Sequence, residues 1–252
     1  MKVFVSYLCG LRGVAAARLP LRPASPCVRE RPVDHPIRLA VETGLVATAA
    51  VLTLRFLAPW RSLDQLPYAI PGILIAAALL PAWIEKREFP RIGLDADRIG
   101  PALGTVFWTC LYIFPAVFFG LQLLRSLHLS IPVRPLMAPQ QSWLTWSLHQ
   151  FLYVAVAEEV FFRGYVQANT MRLLGRTSRL SSTARQCIVV SVSAACFAVA
   201  HVIVQGQITS ALTFLPGLLM AWLFLRTRTL LAPIVFHGLA NISYGVMAAT
   251  LS

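Results

Sequence analysis

Acidic side chains are scarce in this chain of 252 residues. Ten occur in all, and after Asp97 only two remain, the adjacent pair Glu158 and Glu159. Charged residues of either sign make up 13% of the sequence, against about 25% in an ordinary soluble domain. That deficit, with a hydrophobic fraction of 57%, excludes a water-soluble globular fold. Ten-residue stretches of alternating polarity are missing, which excludes an outer-membrane type of β-barrel. No internal repeat is visible, which counts against a repeat-built transporter. The five cysteines (Cys9, Cys27, Cys110, Cys187 and Cys196) form no CxxC pair, so no zinc ribbon or redox motif exists, and they read as free thiols. GxSxG and HExxH are also missing, so neither a serine elbow nor a zincin helix is indicated.

What is present is a series of apolar runs near the roughly 20 residues a bilayer-spanning helix needs. The fold class is all-α, a polytopic transmembrane bundle. Seven spans are expected, at Leu39–Trp60, Pro67–Ile84, Pro101–Leu124, Trp143–Thr170, Gln186–Val204, Ile208–Leu225 and Thr229–Thr250. The formal charge of +12 does not point to nucleic acid. The arginines gather in the N-terminal arm and in short connections, as topogenic charge does. With the arm inside, the inside loops carry Lys86, Arg87, Arg91, Arg98, Arg172, Arg176, Arg179, Arg185, Arg226 and Arg228. The outside loops carry only Arg61, Arg125 and Arg134. This places the N-terminus in the cytoplasm of what reads as a bacterial inner membrane protein. Three regions follow: a flexible basic arm over 1–38, accessory helices over 39–142 and a core of four helices over 143–252. In the first span, Glu42 and Arg55 lie near opposite ends, where both can snorkel.

The chemistry concentrates in the last four spans. A carboxylate at the centre of a membrane helix costs roughly 2.5–3.5 kcal/mol on insertion scales, so two adjacent ones need a reason. Glu159 and Arg163 stand at i and i+4 on one helix face, in the favourable order. That pair alone is a sufficient structural explanation for Glu159. Glu158 points roughly 100° away and is left without a partner. Further polar groups occur on later spans: His201 one turn after Phe197, and His237 one turn before Asn241. Glu158, His237 and Asn241 lie near mid-span, whereas His201 is more than a turn off centre. A carboxylate and an imidazole flanking one water can activate it as a nucleophile. A second imidazole and an amide can donate to a developing oxyanion. Such a set suits water-dependent cleavage of an amide. Cys196 lies on a different face from His201 and does not supply a nucleophile.

Glu158-Glu-Val-Phe-Phe-Arg163 matches EExxxR, Phe197-Ala-Val-Ala-His201 matches FxxxH, and His237-Gly-Leu-Ala-Asn241 matches HxxxN. In this order the motifs resemble those of the CPBP family of intramembrane glutamic proteases, also called Abi or type II CAAX prenyl endopeptidase-like. The resemblance covers about Trp143 to Ser252. It implies a metal-independent endopeptidase that needs no cofactor. Glu158 would be the general base, with His201 helping to hold the water. His237 and Asn241 would form the oxyanion site, Glu159 and Arg163 would support it, and Phe197 would be structural. The partners implied are the lipid bilayer and a membrane-associated peptide or protein: a prenylated C-terminal peptide, a bacteriocin leader or a sorting tag. The other readings are a zinc site built from the same Glu and His types, a non-catalytic scaffold or bacteriocin self-immunity protein, and a transporter with Glu158 in a proton relay.

Overall fold

The computed structural model of the chain describes residues 35–58, 66–128, 142–175 and 180–251. Among the described residues all regular structure is helical. Seven rods follow one another: α1 (Pro36–Leu57), α2 (Leu66–Ile84), α3 (Ala96–Ser126), α4 (143–175), α5 (Ser182–Gln205), α6 (Phe214–Thr227) and α7 (Leu231–Leu251). A 3-10 turn, Ile208–Thr213, leads into α6. The basic arm expected over 1–38 lies almost wholly outside the described residues, although α1 already begins at Pro36.

Five stretches are long and apolar enough to cross a bilayer: Pro36–Leu57, Asp97–Ser126, Ser182–Gln205, Ile208–Thr227 and Leu231–Ala249. The apolar part of α2, Ala69–Ile84, is shorter. The α4 rod is interrupted rather than short. It runs as α-helix over Trp143–His149, π-helix over Gln150–Ala155, α-helix over Val156–Glu159, π-helix over Val160–Gln167 and α-helix again over Ala168–Gly175. π segments are rare and collect at functional sites, because an i→i+5 turn re-aims side chains at the expense of regular hydrogen bonding. Here two of them flank the four residues that carry both glutamates.

Local sequence sets the ends. Ser142 and Ser181 each cap the helix that follows, accepting from the backbone N–H of Thr145 at 3.2 Å and of Ala184 at 3.1 Å. Gly206 closes α5 in the left-handed conformation at φ 69°, where glycine carries no Cβ penalty. The third rod starts at Ala96 rather than Pro101, because the lead-in 96–100 is helical despite its charge.

The first three helices are less inert than their composition suggests. Glu42 does not snorkel from α1. It accepts from both terminal guanidinium nitrogens of Arg87, Nη1 at 2.7 Å, and from the hydroxyl of Tyr165 on α4 at 3.1 Å. The hydrogen bonding from Arg87 to Glu42 holds the Arg87 guanidinium above its ordinary pKa. Asn169 donates to Thr43 at 3.1 Å one residue along. The segment after α2 is tied to the start of α7, with Leu230 N–H donating to the Arg91 carbonyl and Leu231 N–H to that of Ile92, at 3.1 and 2.8 Å. None of these partners is visible from local periodicity, because each lies on a different element. Cys110 and Cys196 are free, but Cys187 is disulfide-bonded, contrary to expectation; spacing alone does not reveal pairing.

On the outer side of α3, Phe107, Trp108, Tyr112 and Phe119 are exposed, the arrangement of a helix facing hydrocarbon. Inside, α4 and α7 approach closely through glycine. A Cβ on Gly245 would sit 2.6 Å from the Trp146 ring, and one on Gly238 would sit 2.4 Å from the Phe151 ring. Trp146 is buried and has little room to move. Gly245→Ala should therefore destabilise the protein by about 1–3 kcal/mol through overpacking. Gly104→Ala, whose methyl meets nothing within 4 Å, should be neutral or up to about 1 kcal/mol stabilising. Thermal unfolding of both variants in one detergent checks the contrast.

Candidate active site

The site is anchored by an ion pair with no exposure to solvent. Arg163 Nη1 donates to Glu159 Oε1 at 2.8 Å, and both side chains are 0% exposed. Arg163 Nη2 donates to the Gly217 carbonyl on α6 at 3.1 Å. The guanidinium carbon lies 4.7 Å from the centroid of the Phe197 ring, in cation–π contact. Charge, backbone acceptor and aromatic face thus come from three elements. Gln167, one turn below Arg163, repeats the pattern by donating to the Ala221 carbonyl at 2.9 Å.

Glu159 is not explained by Arg163 alone. The same oxygen, Oε1, accepts from His237 Nδ1 at 2.8 Å. His237 thereby joins the two glutamates, because its other nitrogen, Nε2, lies 3.8 Å from Glu158 Oε2. His201 Nε2 lies at the same 3.8 Å from that oxygen. Glu158 Oε2 is buried and has no hydrogen-bond partner, although the side chain as a whole is 19% exposed.

Hydrogen bonding sets the histidine tautomers. His201 Nδ1 is 2.9 Å from the Phe197 carbonyl, which can only accept, so the proton is on Nδ1. His237 Nδ1 faces a carboxylate and is likewise the donor. Both rings therefore turn Nε2 toward Glu158. A separation of 3.8 Å is too long for a direct hydrogen bond and fits two bonds through one shared atom. Phe197 holds the arrangement, with its ring 4.3 Å from that of His201 and edge-on to that of His237 at 5.9 Å. The off-centre position of His201 in α5 is no obstacle, because tilted helices of unequal length need not meet at their midpoints.

The structure thus brings Glu158, Glu159, Arg163, Phe197, His201 and His237 into one connected cluster. Asn241 stands one turn beyond His237 on α7, and its Nδ2 donates to Gln150 Oε1 on α4 at 2.9 Å. Gln150 is the residue that sequence reasoning missed, since it belongs to none of the three motifs. Among the described residues no group of three or more His, Cys, Asp or Glu is arranged to hold a metal ion.

This geometry can be set beside known proteins. The family model described as type II CAAX prenyl endopeptidase Rce1-like matches residues 140–243. Residues 140–243 belong to the Rce1-like type II CAAX prenyl endopeptidase family. No curated protein and no solved structure matches the chain. The Rce1-like segment spans α4 to most of α7 and holds every residue of the cluster, together with Gln150 and Asn241. It leaves α1–α3 outside. Its lower limit lies just before Trp143, the first residue of α4. The family is one of membrane proteases, and this chain has the apolar helices such a protein requires.

The buried pair should be fragile to one-sided change. Arg163→Met strands Glu159 and should cost about 3–5 kcal/mol of stability. Adding Glu159→Gln to it should recover part of that loss. Denaturation of the single and double variants measures both steps.

Proposed function

We propose that this chain is a metal-independent intramembrane glutamic endopeptidase that hydrolyses a peptide bond of a membrane-associated peptide or protein. The observation that carries the reading is Glu158 Oε2, a buried oxygen without a hydrogen-bond partner, equidistant at 3.8 Å from the Nε2 atoms of two histidines. A carboxylate in an apolar bundle is costly, and nothing in the packing satisfies it.

In this mechanism a water held between Glu158 and His201 donates one proton to Glu158 Oε2 and the other to the lone pair on His201 Nε2. Its oxygen attacks the scissile carbonyl carbon as Glu158 takes the first proton. The carbonyl π electrons pass to oxygen, and the oxyanion accepts from His237 and from the Asn241 amide. In this role His237 acts with both ring nitrogens protonated, Nδ1 donating to Glu159 Oε1 and Nε2 to the oxyanion. The intermediate collapses with cleavage of the C–N bond, and Glu158 returns its proton to the departing amine. Arg163 holds the Glu159 carboxylate in place, and the Phe197 carbonyl keeps His201 in the tautomer that accepts from water. The charge bias supports a cytoplasmic N-terminus. The family description makes a peptide with a prenylated C-terminal Cys-aliphatic-aliphatic-X sequence the first substrate to try.

Glu158→Gln and His201→Ala should each lower peptide cleavage by roughly 10²–10⁴-fold while the protein remains folded and inserted. The assay uses purified protein in detergent with a quenched farnesylated peptide. It is paired with mass profiles of membrane peptides from cells carrying the wild type or Glu158→Gln. A species that accumulates uncut in the variant identifies the substrate. Normal cleavage by Glu158→Gln would overturn the mechanism, and loss of wild-type cleavage on chelation would return a metal to it.

A further inference from the structure

The antiparallel seam between α4 and α7 is built from apolar rungs. Trp146 seats against Gly245, and Phe151 seats against Gly238. Between these rungs lies one polar contact, Gln150 Oε1 accepting from Asn241 Nδ2 at 2.9 Å. Both residues are half-buried. A polar pair does not have to be here for packing, because the glycine-seated rings already set the register.

Helix phase shows how Gln150 reaches this place. It precedes Glu158 by eight residues, which in a continuous α-helix puts it about 80° off the Glu158 direction. The π segment Gln150–Ala155 has i→i+5 turns, which reduce the rotation per residue. The wider turns rotate Gln150 back toward α7, where it meets Asn241, one turn from His237. The amide of Asn241 has two N–H donors. With one of them given to Gln150, the amide plane is held and its second N–H has a set direction.

We propose that Gln150 is a positioning residue for the reaction, orienting the Asn241 amide as a donor to the oxyanion, and that the π segment of α4 exists to bring it there. The proposal rests on the endopeptidase reading for its catalytic consequence. Gln150 itself touches neither the water nor the substrate. Its removal lowers turnover only as far as it disorders Asn241.

The test uses the full-length protein in detergent and the quenched farnesylated peptide as probe. Gln150→Leu should lower kcat roughly 100-fold, the scale of a misplaced catalytic group, with KM changed less than about twofold. Asn241→Ala should lower kcat by about 10²–10³-fold. The double variant should be no slower than Asn241→Ala, because both changes remove one function. Wild-type kcat in Gln150→Leu, or losses that multiply in the double variant, overturn the proposal. A second measurement needs no turnover. The chain has only two asparagines, Asn169 and Asn241, so asparagine-selective ¹⁵N labelling yields two side-chain amides by NMR, assigned with Asn241→Ala. Gln150→Leu should shift the Asn241 amide protons and leave those of Asn169 in place, and an unmoved Asn241 pair overturns the proposal. Failure of the endopeptidase reading looks different, with Glu158→Gln cutting the probe normally while the amide shift persists.

Discussion

Arg163 carries a full charge at a point of zero exposure inside an apolar bundle, and much of the surrounding structure follows from satisfying it. Its guanidinium takes a carboxylate from its own helix, a backbone carbonyl from α6 and an aromatic face from α5. Each partner is held by the same contact that serves Arg163. Glu159 is thereby fixed in position, and the oxygen that meets Arg163 also accepts from His237 Nδ1. Desolvation makes this arrangement strict. A missing partner leaves an uncompensated buried charge, which costs more than the intact pair contributes.

The two glutamates share a peptide bond but occupy different environments. Glu159 is saturated on one oxygen by Arg163 and His237. Glu158 has two imidazole nitrogens in view and bonds to neither. The imidazole of His237 spans both, donating a structural bond from Nδ1 and presenting Nε2 to the open side. Buried atoms without a partner occur in the supports too, at Glu159 Oε2 and Arg163 Nε; what sets Glu158 apart is the pair of imidazole Nε2 atoms 3.8 Å from its Oε2. The π segments on either side of Val156–Glu159 belong to the same logic. They let one continuous rod face α7 with Gln150, the histidines with Glu158 and α6 with Arg163.

The helices before the family segment are joined to it by polar contacts at one end of α4. Glu42, Thr43 and the carbonyl of Glu88 meet Tyr165, Asn169 and Arg172 there. The site residues lie further up the rod. Anchoring α4 below Arg163 restrains its rotation, and rotation of α4 is the motion that would misalign both glutamates together.

Much was legible in the sequence for reasons that are local. The 3.6-residue period and the length of the apolar runs determine an all-helical membrane fold. An i, i+4 spacing on a helix is sufficient to pair Glu159 with Arg163 and to stack Phe197 on His201. The order of the three motifs places the family segment. What the sequence could not decide depends on separations of many tens of residues, where no period operates. His237 meets Glu159 across 78 positions and Asn241 meets Gln150 across 91. Arg87 reaches Glu42 from another helix end, and Gln150 comes into phase only because α4 departs from the α-helical turn. Local spacing determines which side chains share a face. Only the packing of α4 against α5, α6 and α7 decided which faces meet, because that depends on where glycines let backbones approach and where a buried charge has to be answered.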